Sequence, residues 1–201
     1  TMLDPAARIE GVLLPSRGSN PTEGVAGSVA AGNGIHQGVL SMVAMPLDTP
    51  PTEVIDALTA ASEVALRPTG AWLDLRSDSV DPAALAAAIG ESAGSSVPFT
   101  VLSNDLPAVS RADRQSGKLR YGALNLVAAT ISAGSAGPDV AAVLADVAPQ
   151  TYTIEFGGLT RHGEAIHPNG SVGADRSPLV SLTTLEPADT IAALSALDPP
   201  T

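Results

Sequence analysis

The sequence has no cysteine and few aromatic residues, and both absences exclude classes of site. Without cysteine the chain forms no disulfide, thiolate nucleophile, iron–sulfur cluster or cysteine-ligated zinc site. Aromatic residues make up 2% of the 201 residues, too few for a surface on which several nucleic-acid bases stack. No apolar run reaches the about 18 residues that a membrane-spanning helix needs. We therefore expect a soluble chain without a membrane partner. The compartment stays unknown, with a virion or the cytoplasm most compatible.

Basic residues are scarce and unevenly placed. Ten basic residues stand against 21 acidic ones, which gives a formal net charge of −11 and argues against a surface that binds nucleic acid throughout. Four of the ten are Arg111, Arg114, Lys118 and Arg120, with Asp113 the one acid among them, so this segment carries +3 and the rest −14. We expect it to contact another copy of the chain or another acidic subunit, with phosphate or nucleic acid as the second candidate, and a solvated loop explains the same residues. Nucleic acid is expected nowhere else.

Prolines beside acidic residues mark three predicted helices, because proline presets the helical φ and a negative charge favours the helix N-terminus. With one further amphipathic segment they predict four helices: 52–66, and helices that start near Pro82, Pro138 and Pro187. Apolar runs predict seven strands: 9–14, 39–47, 71–75, 97–102, 119–131, 151–156 and 179–185. The alternation favours an α/β or α+β fold with a single domain, a mixed sheet, about four helices and long glycine-rich loops.

Two glycine-rich segments predict long loops: 16–38 and 157–177. We expect residues 1–38 to form an extended N-terminal arm with a glycine-rich loop, and residues 39–201 to form a single α/β-type domain. Within that domain, residues 124–156 repeat the strand–helix–strand pattern of residues 39–75. The similarity is of pattern only, and a duplication of the unit is one explanation for it.

Four residues, Arg161-His162-Gly163-Glu164, support the hypothesis of a small α/β enzyme. They resemble the Arg-His-Gly-Glu signature of the histidine phosphatase and phosphoglycerate mutase family, in which the histidine takes a phosphoryl group and the arginine holds its oxygens. The family carries this motif after its first strand, whereas here several predicted strands precede it. The resemblance implies that Arg161, His162 and Glu164 act on a phosphorylated or carboxylated metabolite. A further alternative is a zinc site at His162 and His167. No other metal and no cofactor is expected.

A second group of charged residues lies where a predicted strand ends. Asp74 and Asp78 flank Arg76 at the end of the strand 71–75. Enzymes with α/β folds often place catalytic groups at this position, and an exposed loop explains the same residues. Both interpretations stay open at this point.

The leading hypothesis is a structural subunit of a homo-oligomeric assembly, such as a capsid or tail component of a viral or phage particle. The sequence holds no complete catalytic constellation, and its charge is divided between a basic segment and an acidic remainder. The pattern of residues 52–107 is similar to the later part of tailed-phage coat proteins. The partners would be copies of the chain, in contact through the basic segment. A binding module without chemistry, docking through the same segment, is the third hypothesis.

Overall fold

The central sheet has five strands, and their order across the sheet is the order in which they occur along the chain. The computed structural model of the protein describes residues 11–16, 20–32, 39–64, 69–77, 80–134, 139–155, 158–165, 178–185 and 187–195. The helices within them are α1 (Pro21–Gly32), α2 (Pro51–Val64), α3 (Pro82–Gly94), α4 (Ala123–Ala133), α5 (Val140–Ala145) and α6 (Pro187–Ser195). The strands are β1 (Gly11–Leu14), β2 (Leu40–Ala44), β3 (Thr69–Asp74), β4 (Phe99–Ser103), β5 (Arg111–Ala112), β6 (Leu119–Arg120), β7 (Tyr152–Glu155), β8 (Gly158–Arg161), β9 (Glu164–Ala165) and β10 (Leu179–Thr184).

The central sheet has the order β1-β2-β3-β4-β10, and each neighbouring pair runs parallel. Helices α1, α2 and α3 connect its first four strands. Right-handed crossovers between adjacent parallel strands place the connecting helices on one face of a sheet, and accordingly α1 packs on α2 and α2 on α3. The antiparallel strands form two separate small sheets, β5-β6 and β7-β8-β9. The α/β fold class is therefore confirmed.

Aliphatic side chains fill the core between the sheet and its helices. Successive strand residues point to opposite faces, so Val43, Leu73 and Val101 are fully buried, whereas Trp72 and Asp74 on the other face are partly exposed. The four predicted helices are confirmed as α2, α3, α5 and α6. In the described part of the chain, no helix combines the length and the apolar character that crossing a membrane requires.

Helix α1 corrects the predicted arm and loop. The prediction of an extended segment over residues 1–38 is wrong for α1, whose first turn is capped by Asn20: its side chain accepts a hydrogen bond from the Glu23 amide at 2.9 Å. Val25 and Val29, four residues apart, bury one side of the helix. Strand β1 also lies inside the predicted arm, and it pairs with β2 in the sheet. The described residues of this region thus belong to the fold itself.

Helix α4 corrects a predicted strand. Most of the run 119–131 forms the helix α4. Because α4 contacts α3, α5 and β10, its sequence is apolar on nearly every side. Such a run shows neither the strand period nor the helix period, and its alanines favour the helix. Residues 124–156 therefore hold two helices before β7. The strand–helix–strand pattern predicted for residues 124–156 is therefore wrong, and the duplication inferred from it stays a prediction.

Candidate functional site

A cleft of about 620 Å³ lies at the carboxyl ends of β1, β2 and β3. Open parallel sheets commonly place their ligands outside this edge, because the loops that follow the strands can surround a space there. The walls come from the last residues of β2 and β3, from the segments that follow the three strands, and from the segment that precedes α3. The lining residues are Pro15, Ser16, Ala44, Met45, Pro46, Leu47, Asp48, Trp72, Asp74, Ser77, Val80 and Asp81.

Trp72, which lies in β3 two residues before its last residue Asp74, gives the cleft an aromatic surface. Its indole Nε1 donates a hydrogen bond to the Leu14 carbonyl at 2.9 Å, which ties the ring to the end of β1. The guanidinium carbon of Arg76 lies 5.9 Å from the ring centroid, within the range of a cation–π contact. The ring is therefore fixed on one side by a strand end and accepts a cation on its surface.

Asp74 and Arg76 form a two-bonded ion pair beside this ring. Arg76 Nε donates to Asp74 Oδ1 at 2.9 Å, and Arg76 Nη2 donates to Asp74 Oδ2 at 2.6 Å. The side-chain hydrogen bond from Arg76 lowers the pKa of Asp74, although partial burial opposes it. The carboxylate of Asp74 is thus ionised at neutral pH and already shares its charge with Arg76. Asn104 supports the loop by donating to the Arg76 carbonyl at 3.4 Å.

The far wall of the cleft is the segment that leads into α3. Asp81 is the N-cap of α3, and its carboxylate accepts a hydrogen bond from the Ala84 amide at 3.2 Å. Tyr121, which follows β6, donates its hydroxyl to the Val80 carbonyl at 2.9 Å. Burial raises the pKa of Tyr121, and the nearby charge of Asp81 adds to this, so the hydroxyl keeps the proton that it donates. These bonds hold the wall in place.

The lining carries negative charge only. Asp48, Asp74 and Asp81 are among its residues, and none of the lining residues is a lysine, arginine or histidine. Arg76 neutralises Asp74, which leaves Asp48 and Asp81 as the lining carboxylates outside that ion pair, and Asp81 also accepts the Ala84 amide hydrogen bond as the N-cap of α3. An anionic metabolite is disfavoured in such a space.

The sequence indicated part of this site. It placed Asp74 and Arg76 at a strand end; Asp74 lines the cleft, and Arg76, which is not a lining residue, contacts Asp74 and Trp72. Asp78 lies outside the described residues. Trp72 and Asp48 were not among the site residues predicted from the sequence. Trp72 lies on β3 with Asp74, and Asp48 follows the neighbouring strand β2, so the strand-end argument applies to both. Their approach depends on strand order, which the sequence does not fix.

The Arg161-His162-Gly163-Glu164 segment is a two-residue hairpin turn between β8 and β9. His162 and Gly163 both have positive φ, 54° and 77°, as a type I′ turn requires, and Arg161 pairs with Glu164 across the hairpin. Glycine at the second position suits this backbone, so turn geometry accounts for that residue. None of the four residues lines the cleft.

The side chains of this turn are engaged elsewhere. Arg161 Nε and Nη2 both donate to Asp146 Oδ2, at 3.2 and 3.1 Å, and both side chains are largely buried. His162 is 64% exposed, with Nε2 3.8 Å from the same carboxylate oxygen. A phosphoryl-accepting histidine would need a sheltered position beside a cation. The geometry thus gives Arg161 a structural role, and the enzymatic role of Arg161, His162 and Glu164 stays a prediction.

Of the two histidines predicted to bind zinc, the structure describes His162. His167 lies outside the described residues, and among those that are described no three histidine, aspartate or glutamate side chains form a group that could hold a metal ion. His162 meets one carboxylate, that of Asp146.

The basic segment is the β5-β6 hairpin. Arg111 pairs with Asp105 at 2.7 Å, and Arg120 Nε lies 3.5 Å from Asp113 Oδ2. Arg114 and Lys118 are exposed and take part in no ion pair that the described residues form. The hairpin therefore presents two uncompensated positive charges, fewer than the sequence alone suggests.

Comparisons of the chain with models of protein families, with curated protein sequences and with solved structures give no match.

Proposed function

We propose that the protein binds a small organic cation with an apolar body in the cleft at the carboxyl ends of β1, β2 and β3. The observation that carries this proposal is the lining: three carboxylates and an anchored tryptophan surround about 620 Å³, and the basic group that contacts this lining, Arg76, is already paired with Asp74. The apolar body would contact Pro46, Leu47 and Val80, while the positive charge lies toward the carboxylates. This is a binding module, with its docking surface in the cleft instead of on the basic hairpin.

Electrostatics decide the sign of the ligand. Two unit charges about 4 Å apart attract by about 1 kcal/mol in a water-like medium, and partial exclusion of water increases this value. Asp48 and Asp81 would each attract a cation and repel an anion by this order. We expect a cation to bind at least about tenfold more tightly than an anion of the same shape, because about 1.4 kcal/mol corresponds to tenfold.

The chain itself supplies a precedent for this recognition. The Arg76 guanidinium is held between the carboxylate of Asp74 and the ring of Trp72. An aromatic face and a carboxylate are the two groups that commonly bind organic cations. Asp48 and Asp81 extend the same chemistry across the cleft.

Binding is favoured over proton transfer for a physical reason. A general base acts best when its pKa lies near the working pH, whereas Arg76 lowers the pKa of Asp74 below its ordinary value. The ionised, paired carboxylate can hold a charge but is a weak base. We therefore propose no chemical step in the cleft.

Calorimetric titration with two ligands of similar shape tests the proposal. Phenethylamine carries an ammonium group on a phenylethyl body, and 3-phenylpropionate carries a carboxylate on the same body. The first should bind with a dissociation constant of about 1 mM, as expected for a small ligand in an open cleft, and the second at least about tenfold more weakly. Equal affinities, or tighter binding of the anion, would contradict the proposal.

A pair of matched variants locates the site. Asp48→Asn removes one lining charge, and Asp56→Asn removes an exposed charge on α2 that does not line the cleft. Asp48→Asn should weaken phenethylamine binding about fivefold, which corresponds to about 1 kcal/mol. Asp56→Asn should leave it unchanged. If both variants behave alike, the cation binds by general attraction to an acidic protein.

A structural subunit of a homo-oligomeric assembly, such as a viral or phage particle component, stays as a second proposal. One observation favours self-association: β10 carries no charged residue, and Val180 within it and Leu185 directly after it are exposed apolar residues. The assembly would contain copies of the chain. Light scattering coupled to gel filtration at low and high salt tests it: a particle of many copies would support the assembly, and a monomer at every concentration would contradict it.

A further inference from the structure

The guanidinium of Arg76 already occupies a cation position at the cleft. It donates two hydrogen bonds to the carboxylate of Asp74, and its carbon lies 5.9 Å from the centre of the Trp72 ring. Asp74 and Trp72 line the cleft, whereas Arg76 does not. Of the ion pairs that described residues form with one another, this is the one whose carboxylate belongs to the lining. The chain thus places its own cation against two groups of the ligand space.

Both partners of this guanidinium are held in place without it. The Asp74 carboxylate also accepts a hydrogen bond from the backbone amide of Arg76, at 3.0 Å. The Trp72 ring is fixed by its bond to the Leu14 carbonyl. The backbone amide remains when the guanidinium moves away, so the carboxylate and the ring keep their positions. A place for a planar cation is therefore preformed.

The contact between Arg76 and Asp74 is exposed to solvent, which allows exchange. Their side chains are 45% and 40% exposed, respectively. Ion pairs between exposed side chains are weak, because water screens the charges and both side chains lose rotamer freedom. A ligand with the same cationic group remakes the hydrogen bonds that it displaces, so the exchange costs little.

We propose that Asp74 and Trp72 form a guanidinium subsite of the cleft, which Arg76 fills until a ligand guanidinium replaces it. This inference rests on the proposed binding of an organic cation and names the cation's class: a guanidinium group on an apolar body. A guanidinium can donate to both carboxylate oxygens at once and lie against an aromatic face, whereas an ammonium group acts as a point charge.

Arg76 then sets the selectivity of the cleft. A ligand guanidinium gains the subsite only by displacing the Arg76 side chain. An ammonium group binds near Asp48 and Asp81 and leaves Arg76 in place. Removal of the Arg76 guanidinium therefore favours guanidinium ligands over ammonium ligands.

Calorimetric titration of the full chain with phenethylguanidine and phenethylamine tests the subsite. The two ligands share a body and carry the same charge, so a general change in the charge of the protein affects both alike. Arg76→Gln should raise the affinity of phenethylguanidine relative to phenethylamine about fivefold, because the ligand no longer displaces a side chain. Retained phenethylamine binding shows that the variant is folded. An unchanged ratio of the two affinities would overturn the proposal.

Two further arginine variants separate occupancy from charge. Arg76→Lys keeps the charge, but lysine cannot form the two-bonded contact with Asp74, so the ratio should still rise, about twofold. Arg111→Gln is the matched control, because Arg111 is an exposed arginine whose partner Asp105, at 2.7 Å, does not line the cleft. It should leave the ratio unchanged. An equal rise in Arg111→Gln and Arg76→Gln would overturn the proposal.

A double variant identifies the acceptor of the ligand guanidinium. Asp74→Asn combined with Arg76→Gln should remove the gain in the ratio, because a neutral amide does not accept two charge-assisted hydrogen bonds. A ratio that stays raised would place the guanidinium elsewhere and contradict the subsite. If 3-phenylpropionate binds as tightly as phenethylamine, the cation-binding cleft and the subsite fail together. If phenethylamine is preferred and Arg76→Gln leaves the ratio unchanged, the subsite alone fails.

Discussion

Asn125 on α4 joins this helix to α5 and to the segment before β5. It is fully buried: its Oδ1 accepts from the Ser110 amide at 2.7 Å, and its Nδ2 donates to the Val143 and Asp146 carbonyls, each at 2.8 Å. Asn125→Ala should lower the free energy of unfolding by about 3 kcal/mol, because it leaves buried polar groups without partners. Urea denaturation measures this loss.

A matched change should have little effect. Asn104 is exposed, and its amide makes a single long bond to the Arg76 carbonyl. Asn104→Ala should alter the free energy of unfolding by no more than about 0.5 kcal/mol. Similar losses in Asn104→Ala and Asn125→Ala would show that the buried network does not stabilise the fold in this way.

Asp113 makes the β5-β6 hairpin sensitive to acid. Hydrogen bonds from the Ser116 amide and hydroxyl and from the Gln115 amide lower its pKa from 3.8 to about 2. A lowered carboxyl pKa stabilises the folded hairpin above pH 3.8, and this contribution is lost as the pH falls toward 2. Titration followed by NMR should give a midpoint near 2 for Asp113. A midpoint near 3.8 would contradict the hydrogen-bonded turn.

At the scale of the element, two glycines of neighbouring helices should respond to alanine with opposite signs. A Cβ on Gly122, before α4, would lie 2.3 Å from the Ser110 nitrogen and the Val109 carbonyl carbon. A Cβ on Gly90, within α3, would meet nothing within 4 Å. Gly122→Ala should therefore destabilise the protein by about 2 kcal/mol, and Gly90→Ala should stabilise it by about 0.5 to 1 kcal/mol.

Urea denaturation of both glycine variants provides the measurement. Stabilisation by Gly122→Ala would contradict the close approach of α4 to the backbone at Val109. Destabilisation by Gly90→Ala would show that the surface of α3 is covered, contrary to the open space found there.

Local signals explain which elements the sequence reveals. Prolines 82 and 187 stand at the first residues of α3 and α6, and Asp139 caps α5 by accepting from the Ala141 amide at 3.0 Å. The same signal precedes α1, where Asn20 is followed by Pro21 and, three residues on, by Glu23. The glycine and alanine residues of α1 make this segment resemble a loop, so the capping signal was overlooked. Helix α4 could not be distinguished from a strand because contacts on several sides make its sequence uniformly apolar.

At the scale of the whole molecule, the order of the strands in the sheet determines which distant residues meet at the cleft, and the sequence does not reveal this order. Asp74 and Arg76 belong to one short segment, so their pairing could be anticipated from a strand end. The cleft also needs Asp48 and Asp81, which come together because β2 and β3 are neighbours and α3 follows β3. Long-range pairing of this kind leaves no mark in the sequence of any one segment. Conversely, Arg161-His162-Gly163-Glu164 has a local explanation, a tight turn.

The most direct test of the central proposal follows the indole N–H of Trp72 by NMR. Trp72 is the only tryptophan, it lines the cleft, and its N–H donates to Leu14, so one well-defined signal reports on the site. Adding phenethylamine should shift this signal progressively until it saturates, while 3-phenylpropionate at the same concentrations should leave it in place. An indole signal that stays unmoved by the amine, or that moves equally with both ligands, would contradict a cation-binding cleft.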